Sequence, residues 1–339
     1  MYRIVHSVEQ LAESKTLILR GSLPSLRMAL LLLDNAAEVL MHRATEQLIA
    51  EGRSVLRTPY VSDDPEHERW RISRATAFER RRDLRKYFNA KASFLSEVAG
   101  VLGKSPADAL IAIHRYRNEA YHRDHVRRET IHPVVMVLFD IVCDLLVTLK
   151  PSSWGFSGQD DFTSFQREYD LPSGMSFSPD DHLPQLRETL KSGLPLNLDQ
   201  LREGLRDHLD SRIEDMLEMI DYIDSNNPAG RLASREEVLE LLKSGTKYQQ
   251  DYEELGISKQ RYEKSITDTT IESFQKWKEG VASLTHLTDK LTLLTHFAKI
   301  ETDIEPIESL IQDAVAELDE LINLQIDEMR MEELMGRQK

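Results

Sequence analysis

Apolar positions in this chain recur every three to four residues, and no convincing stretch alternates apolar and polar like a strand. The segment LPSLRMALLLLDNAAEVLMHRATEQLIAE, 23–51, reads as one long helix. Ser22 stands at its N-cap, Pro24 lies in its first turn, and Gly52 is expected to end it. Residues 53–68 are polar and read as a loop. Helical spacing resumes from about 69 to 101, with Phe78, Leu84, Phe88, Leu95 and Val98 as the expected core. In KSPADALIAIHRYRNEAYHRD, from 104, Ser105 is placed to cap, Pro106 to take the first helical position and Asp108 to complete a capping-box pattern. A further helix is expected from about Pro133 to Leu149. Four or five helices with short connections in residues 1–150 predict a helical bundle.

Residues 151–199 break the pattern. Five of the twelve prolines and four of the fourteen glycines fall there. The aromatics Trp154, Phe156, Phe162, Phe165, Tyr169 and Phe177 point to an ordered connector rather than a free linker. From 200 onward the helical period returns, with Leu201, Leu205, Leu209, Ile213, Leu217 and Ile220 on one stripe. A short helix over REEVLELLKSG ends at Gly245, and the last segment keeps Ile311, Val315, Leu318, Ile322 and Met329 on one face with acids opposite. The expected fold is all-α: a bundle over 1–150, the connector over 151–199, and an acidic helical domain over 200–339.

Charge divides the chain. Residues 1–150 hold 23 Lys+Arg against 19 Asp+Glu, net +4, while residues 151–339 hold 20 against 39, net −19. Such asymmetry implies different partners for the two halves. The segment 69–91 carries nine cations and two acids, and reads either as a solvated helix face or as a phosphate-backbone footprint. Cys143 is the only cysteine, so no internal disulfide and no Cys-based zinc site can form, which fits a reducing cytoplasm. The N-terminal MYRIVHSVEQLAESK lacks the apolar core of a secretory leader. The apolar stretch 133–149 is short for a membrane span and carries Asp140 and Asp144 on one face, so a buried helix is expected there and no membrane partner.

The densest chemistry lies in RYRNEAYHRD, 115–124. On a helical wheel Ala109, Leu110, Ile113, Tyr116 and Ala120 form the core side, and Arg117 falls among them. An arginine in an apolar stripe requires a partner, a wet groove or a ligand. His122 stands five residues from Arg117, about 140° away on a straight helix, and Asn118 lies on the neighbouring face about 40° from His122. Histidine can move protons near neutral pH, arginine can hold a phosphate and stabilise its transition-state charge, and asparagine can orient either. RNA supplies its own nucleophile in the 2′-hydroxyl, so this set needs no metal. His122, Asp124 and His125 lack further ligands to complete a metal site, and no phosphate-loop, dinucleotide or zinc-helix motif is present, so no cofactor is expected.

RNEAYH, 117–122, resembles the Arg-x4-His motif of the HEPN superfamily of helical ribonucleases and nucleotide-binding domains, in which a polar residue often follows the arginine, as Asn118 does here. LLLLDNAAEVLMHR, 30–43, is similar to the long first helix of those domains, with Asp34, Asn35 and Glu38 expected to face inward. The resemblance spans about 20–150. It implies Arg117 and His122 as the catalytic pair, Asn118 in support, metal-independent cleavage to a 2′,3′-cyclic phosphate, and a homodimer whose motifs meet. It also implies RNA as substrate and a role as a toxin or bacterial defence effector. Arg80, Arg81, Arg82, Arg85 and Lys86, with Arg123, Arg127 and Arg128, are then the expected RNA-binding cations. The acidic half would scaffold the dimer, bind a regulatory protein or shield the basic site. A toxin branch carries tyrosine two residues after the histidine, and this chain has Asp124 there. A non-catalytic nucleotide- or protein-binding module of the same family is the alternative reading.

Overall fold

A computed structural model of the chain describes residues 2–57, 64–122, 128–150, 167, 169, 179–194, 196–227, 232, 234–245 and 259–336. At some helix ends only the backbone is described, among them His122 and Arg128. The fold is all-α, with no strand among the described residues. Two compact units divide it: residues 1–204 with 288–295, and residues 205–287 with 296–339.

In the first unit, α1 (Tyr2–Arg20) and α2 (Leu23–Val55) form the largest packed pair. Val8, Leu11 and Ile18 of α1 are fully buried. The cap of α2 is as expected: the Ser22 side chain accepts from the Ser25 N–H, with Pro24 in the first turn. Gly52, however, does not end α2. A Cβ there would lie 1.9 Å from the Arg74 carbonyl oxygen, so this glycine lets α3 (Pro65–Glu79) cross in contact. The expected loop shortens accordingly, and Asp64 caps α3 by accepting from the Glu66 N–H.

The helix expected over 69–101 is broken into α3, α4 (Arg81–Lys86), α5 (Phe88–Ser93) and a π-helical turn at Phe94–Val98. Leu84, Phe88 and Leu95 are buried, whereas Phe78 and Val98 are half-buried. α6 (Lys104–His122) starts one residue before Ser105. Asp108 pairs with the Lys104 ammonium at 3.0 Å. Ala109, Leu110, Ile113 and Tyr116 are buried as the wheel requires; the Ala120 side chain lies outside the described residues.

α7 (Arg128–Thr148) begins five residues before Pro133, which sits inside it. One stretch, Thr130–Thr148, is long and apolar enough to cross a membrane, but 72% of it is buried in the structure. Its acids are used by α8 (Pro179–Lys191): the Lys191 ammonium meets Asp140 at 2.8 Å and Asp144 at 2.7 Å. Lys290 also pairs with Asp140. Burial pushes the Asp140 carboxyl up, and the bonds from Lys191 and Lys290 outweigh it and hold it below the ordinary value. α8 packs on α7, which carries the first unit past residue 150. Burial drives the Cys143 thiol far upward, so it stays protonated.

The second unit takes most of α9 (Leu198–Ser225), then α10 (Arg235–Gly245), α11 (Lys259–Asp268), α12 (Ile271–Ser283), a 3-10 turn at Leu284–His286, and α13 (Lys290–Gly336) from residue 296. Leu205, Leu209, Ile213, Met216 and Ile220 of α9 are fully buried; Leu217 is half-buried. Thr270 and Ser273 form a capping box on α12, and its Ile271 N–H donates to Glu236 of α10. Gly280 of α12 faces Ile300 of α13 closely enough that a Cβ would touch it at 3.3 Å. Most of the 151–199 connector lies outside the described residues.

Candidate functional site

The stripe that buries Ile113 and Tyr116 also carries Arg117 inward, and the structure supplies the partner its position demands. That partner is Asp34, a buried carboxylate on α2 whose side chain is 5% exposed. Arg117 Nε lies 3.6 Å from Asp34 Oδ2. His114, three residues earlier and so on the same helix face, donates from Nδ1 to Asp34 Oδ1 at 2.8 Å. The Phe88 ring of α5 lies flat on the His114 imidazole, with centroids 4.0 Å apart and 3° between planes. Two positively polarised groups thus compensate one buried carboxylate, and an aromatic wall fixes one of them.

Arg117 Nη1 donates to Asn118 Oδ1 at 2.8 Å, so Asn118 orients the guanidinium directly. Nε is buried and makes no hydrogen bond among the described residues. The arginine is one-third exposed. Chemically this is a guanidinium oriented through Nη1 and paired by charge with Asp34, able to meet an oxyanion without first losing its orientation. One turn further along α2, Glu38 pairs at 2.9 Å with Lys91, whose side chain is 1% exposed. Asp34 therefore points into the bundle as expected, whereas the Glu38 side chain is 40% exposed and meets the buried Lys91 from the surface. Asn35 is exposed and takes no part, because it lies on the opposite edge of α2 from the buried stripe.

His122 stands on the helical backbone of α6, about 7.5 Å along the axis from Arg117 at 1.5 Å per residue. Its side chain lies outside the described residues, as do Arg123 and Arg127 entirely and the side chain of Arg128.

Several cations of the basic segment are committed to partners away from Arg117. Arg85 is bound through Nε and Nη2 to Glu46 at 2.7 and 3.0 Å. Glu46 is twelve residues beyond Asp34 on α2, about 18 Å along its axis. Arg81 donates to the Phe78 carbonyl at 2.8 Å and stacks over the Phe78 ring, leaving it half-buried. The Lys86 ammonium sits 4.7 Å above the Tyr87 ring. Arg74 pairs with Glu51 and Arg71 with Glu68, each at 2.9 Å. Arg80 and Arg82 are exposed, with no acid paired to either among the described residues.

Sequence reasoning missed His114. The signal was present: a histidine three positions before Arg117 shares its face, and Asp34 is an acid inside an apolar run. A groove of about 360 Å³ beside Arg117, formed by the first turns of α2, was also missed. Comparison with family models, with curated proteins and with solved structures finds no match, so the chemistry of Arg117 and its neighbours stands on this geometry alone.

Proposed function

We propose that the first unit is a metal-independent endoribonuclease acting through Arg117 and His122. The observation that carries this reading is the held guanidinium. Arg117 is oriented by Asn118, paired by charge with the buried Asp34, and one-third exposed on an otherwise apolar stripe.

In this reading the 2′-oxygen of one ribose attacks the adjacent phosphorus. A 2′-O–P bond forms and the P–O5′ bond breaks, leaving a 2′,3′-cyclic phosphate and a free 5′-hydroxyl. The 2′-hydroxyl proton leaves to a base, and a proton is delivered to the departing 5′-oxygen. His122 is assigned to one of these transfers, since its ordinary range lies near neutral pH. Arg117 offsets the charge that gathers on the phosphoryl oxygens. Purified protein incubated with total RNA, with and without EDTA, tests this. Cleavage that persists in EDTA and vanishes in His122→Ala supports the reading. Intact RNA with the wild type leaves a non-catalytic binding module instead.

About 140° and 7.5 Å separate Arg117 from His122 along a straight α6, so one helix does not stack them. Two chains could bring the arginine of one to the histidine of the other. The protein is therefore expected to be a homodimer with the two α6 helices apposed. Light scattering checks this, and a strict monomer that still cuts RNA contradicts it.

The geometry also narrows the phosphate footprint. Arg85 and Arg81 are tied to protein acceptors, whereas Arg80 and Arg82 are exposed and so open to backbone contact. Arg80→Glu with Arg82→Glu is expected to weaken RNA binding across sequences. It should also flatten the dependence of log affinity on log salt by roughly 1.4, or 0.7 per phosphate. An unchanged slope would leave the segment as a solvated surface.

A further inference from the structure

The groove beside Arg117 is built from the first turns of α2. Leu23, Pro24, Met28 and Leu31 give it apolar walls, and Arg27 and Arg117 are its charged lining; no acid lines it. At about 360 Å³ it stands at the small end of ligand sites, which suits a single planar body with one anionic group. Met28 is half exposed at this surface. Arg117 enters the groove from α6 with its guanidinium oriented by Asn118 and paired by charge with Asp34. An anion in the groove would therefore meet a guanidinium that is already positioned.

We propose that this groove seats one nucleotide of the substrate strand, its base against the Leu23, Pro24, Met28 and Leu31 walls and its phosphate on Arg117. Unstacked bases in RNA recognition stack on aromatic rings or guanidinium planes; this groove has no aromatic ring and offers the guanidiniums of Arg27 and Arg117 beside aliphatic walls. The groove would then fix which phosphodiester lies at Arg117, making it a subsite that sets cleavage position. This rests on the ribonuclease reading for its biological use, but the binding itself does not need catalysis.

The test uses the full chain and calorimetric titration with four probes: adenosine 5′-monophosphate, adenosine, inorganic phosphate and octanoate. The monophosphate should bind at least about tenfold more tightly than adenosine or phosphate, because only it fills the apolar walls and reaches Arg117 together. Met28→Glu adds a carboxylate at an exposed position and should weaken monophosphate binding by about tenfold or more. Leu19→Glu, exposed on α1, should leave it unchanged. In RNA cleavage Met28→Glu should raise KM by a similar factor with little change in kcat.

Equal binding of phosphate and monophosphate overturns the proposal, as does preference for octanoate. So does a Met28→Glu protein that binds the monophosphate like wild type, or one whose only change is loss of the dimer. Monophosphate binding as expected with no RNA cleavage by wild type would end the ribonuclease reading and leave the groove assignment standing. Cleavage with no monophosphate binding would do the reverse.

Discussion

His122→Ala and Arg117→Ala are each expected to slow RNA cleavage by about 10²-fold or more. Loss of a positioned proton-transfer group typically costs 10²–10⁴-fold, and loss of one donor to a developing oxyanion about 10²–10³-fold. The two substitutions should not multiply if the residues act on one transition state, so the double variant should be little slower than the worse single one. Folding is the obvious confounder for Arg117, because its removal leaves the buried Asp34 carboxylate with His114 as its remaining partner. Arg117→Lys separates the effects. It keeps a cation near Asp34 but cannot reproduce a planar guanidinium oriented by Asn118. A folded, helical Arg117→Lys protein with wild-type cleavage would sink the arginine's assigned role. Either alanine variant at full activity would end the ribonuclease reading.

The part of this site that lies within one helix was legible in the sequence; the part between helices was not. Arg117 falls inside the stripe of Leu110, Ile113 and Tyr116 by angle alone, so its need for a partner could be stated in advance. Which partner it finds depends on α2 and α6 packing together, with 80 residues between Asp34 and His114. Local pattern carries no such pairing. The start of α2 was legible because Ser22 and Pro24 act within one turn. Its end was not, since a glycine that stops a helix and one that lets another helix cross look alike in sequence. Gly52 is the second kind, pressed against the Arg74 carbonyl.

α1 was missed although its apolar and polar faces are well separated. Its buried face includes Ser7 and Ser14, both fully buried. Ser14 avoids an unmet hydroxyl by donating to the Gln10 carbonyl at 2.6 Å, a local bond that leaves no mark on hydrophobic spacing. The basic segment, nine cations in 23 residues, reads either as a solvated face or as a phosphate footprint, and breaks at Arg80 and Tyr87 redirect the chain. Arg71, Arg74 and Arg85 then turn to Glu68, Glu51 and Glu46. Charge counting sees the cations and not the acids that fold onto them.

Arg212→Met should be the most damaging single change to stability in the second unit. Arg212 lies on α9 with its side chain 10% exposed. It binds Glu308 through Nε at 3.1 Å and Nη2 at 2.5 Å, and Glu301 through Nη1 at 3.0 Å. Glu301 is 1% exposed and Glu308 5%. His208 Nε2 stands 3.4 Å from the same Glu301 oxygen. Methionine fills much of the arginine's volume, so the loss is one of charge rather than packing. Two buried carboxylates would then lose the guanidinium that they share. Removing one partner of a buried ion pair costs about 3–5 kcal/mol, chiefly through the charge left behind. For a unit of this size that corresponds to roughly 10–20 °C in melting temperature, readable by calorimetry. The cause can be separated from general disruption. Adding Glu301→Gln and Glu308→Gln to Arg212→Met removes the stranded charges and should recover a large part of the loss, since a neutral amide is far cheaper to bury than a carboxylate. A single variant melting within about 2 °C of wild type, a shift worth less than 1 kcal/mol here, would show that this cluster contributes little. No recovery in the triple variant would show that the arginine stabilises through packing and not through its charge.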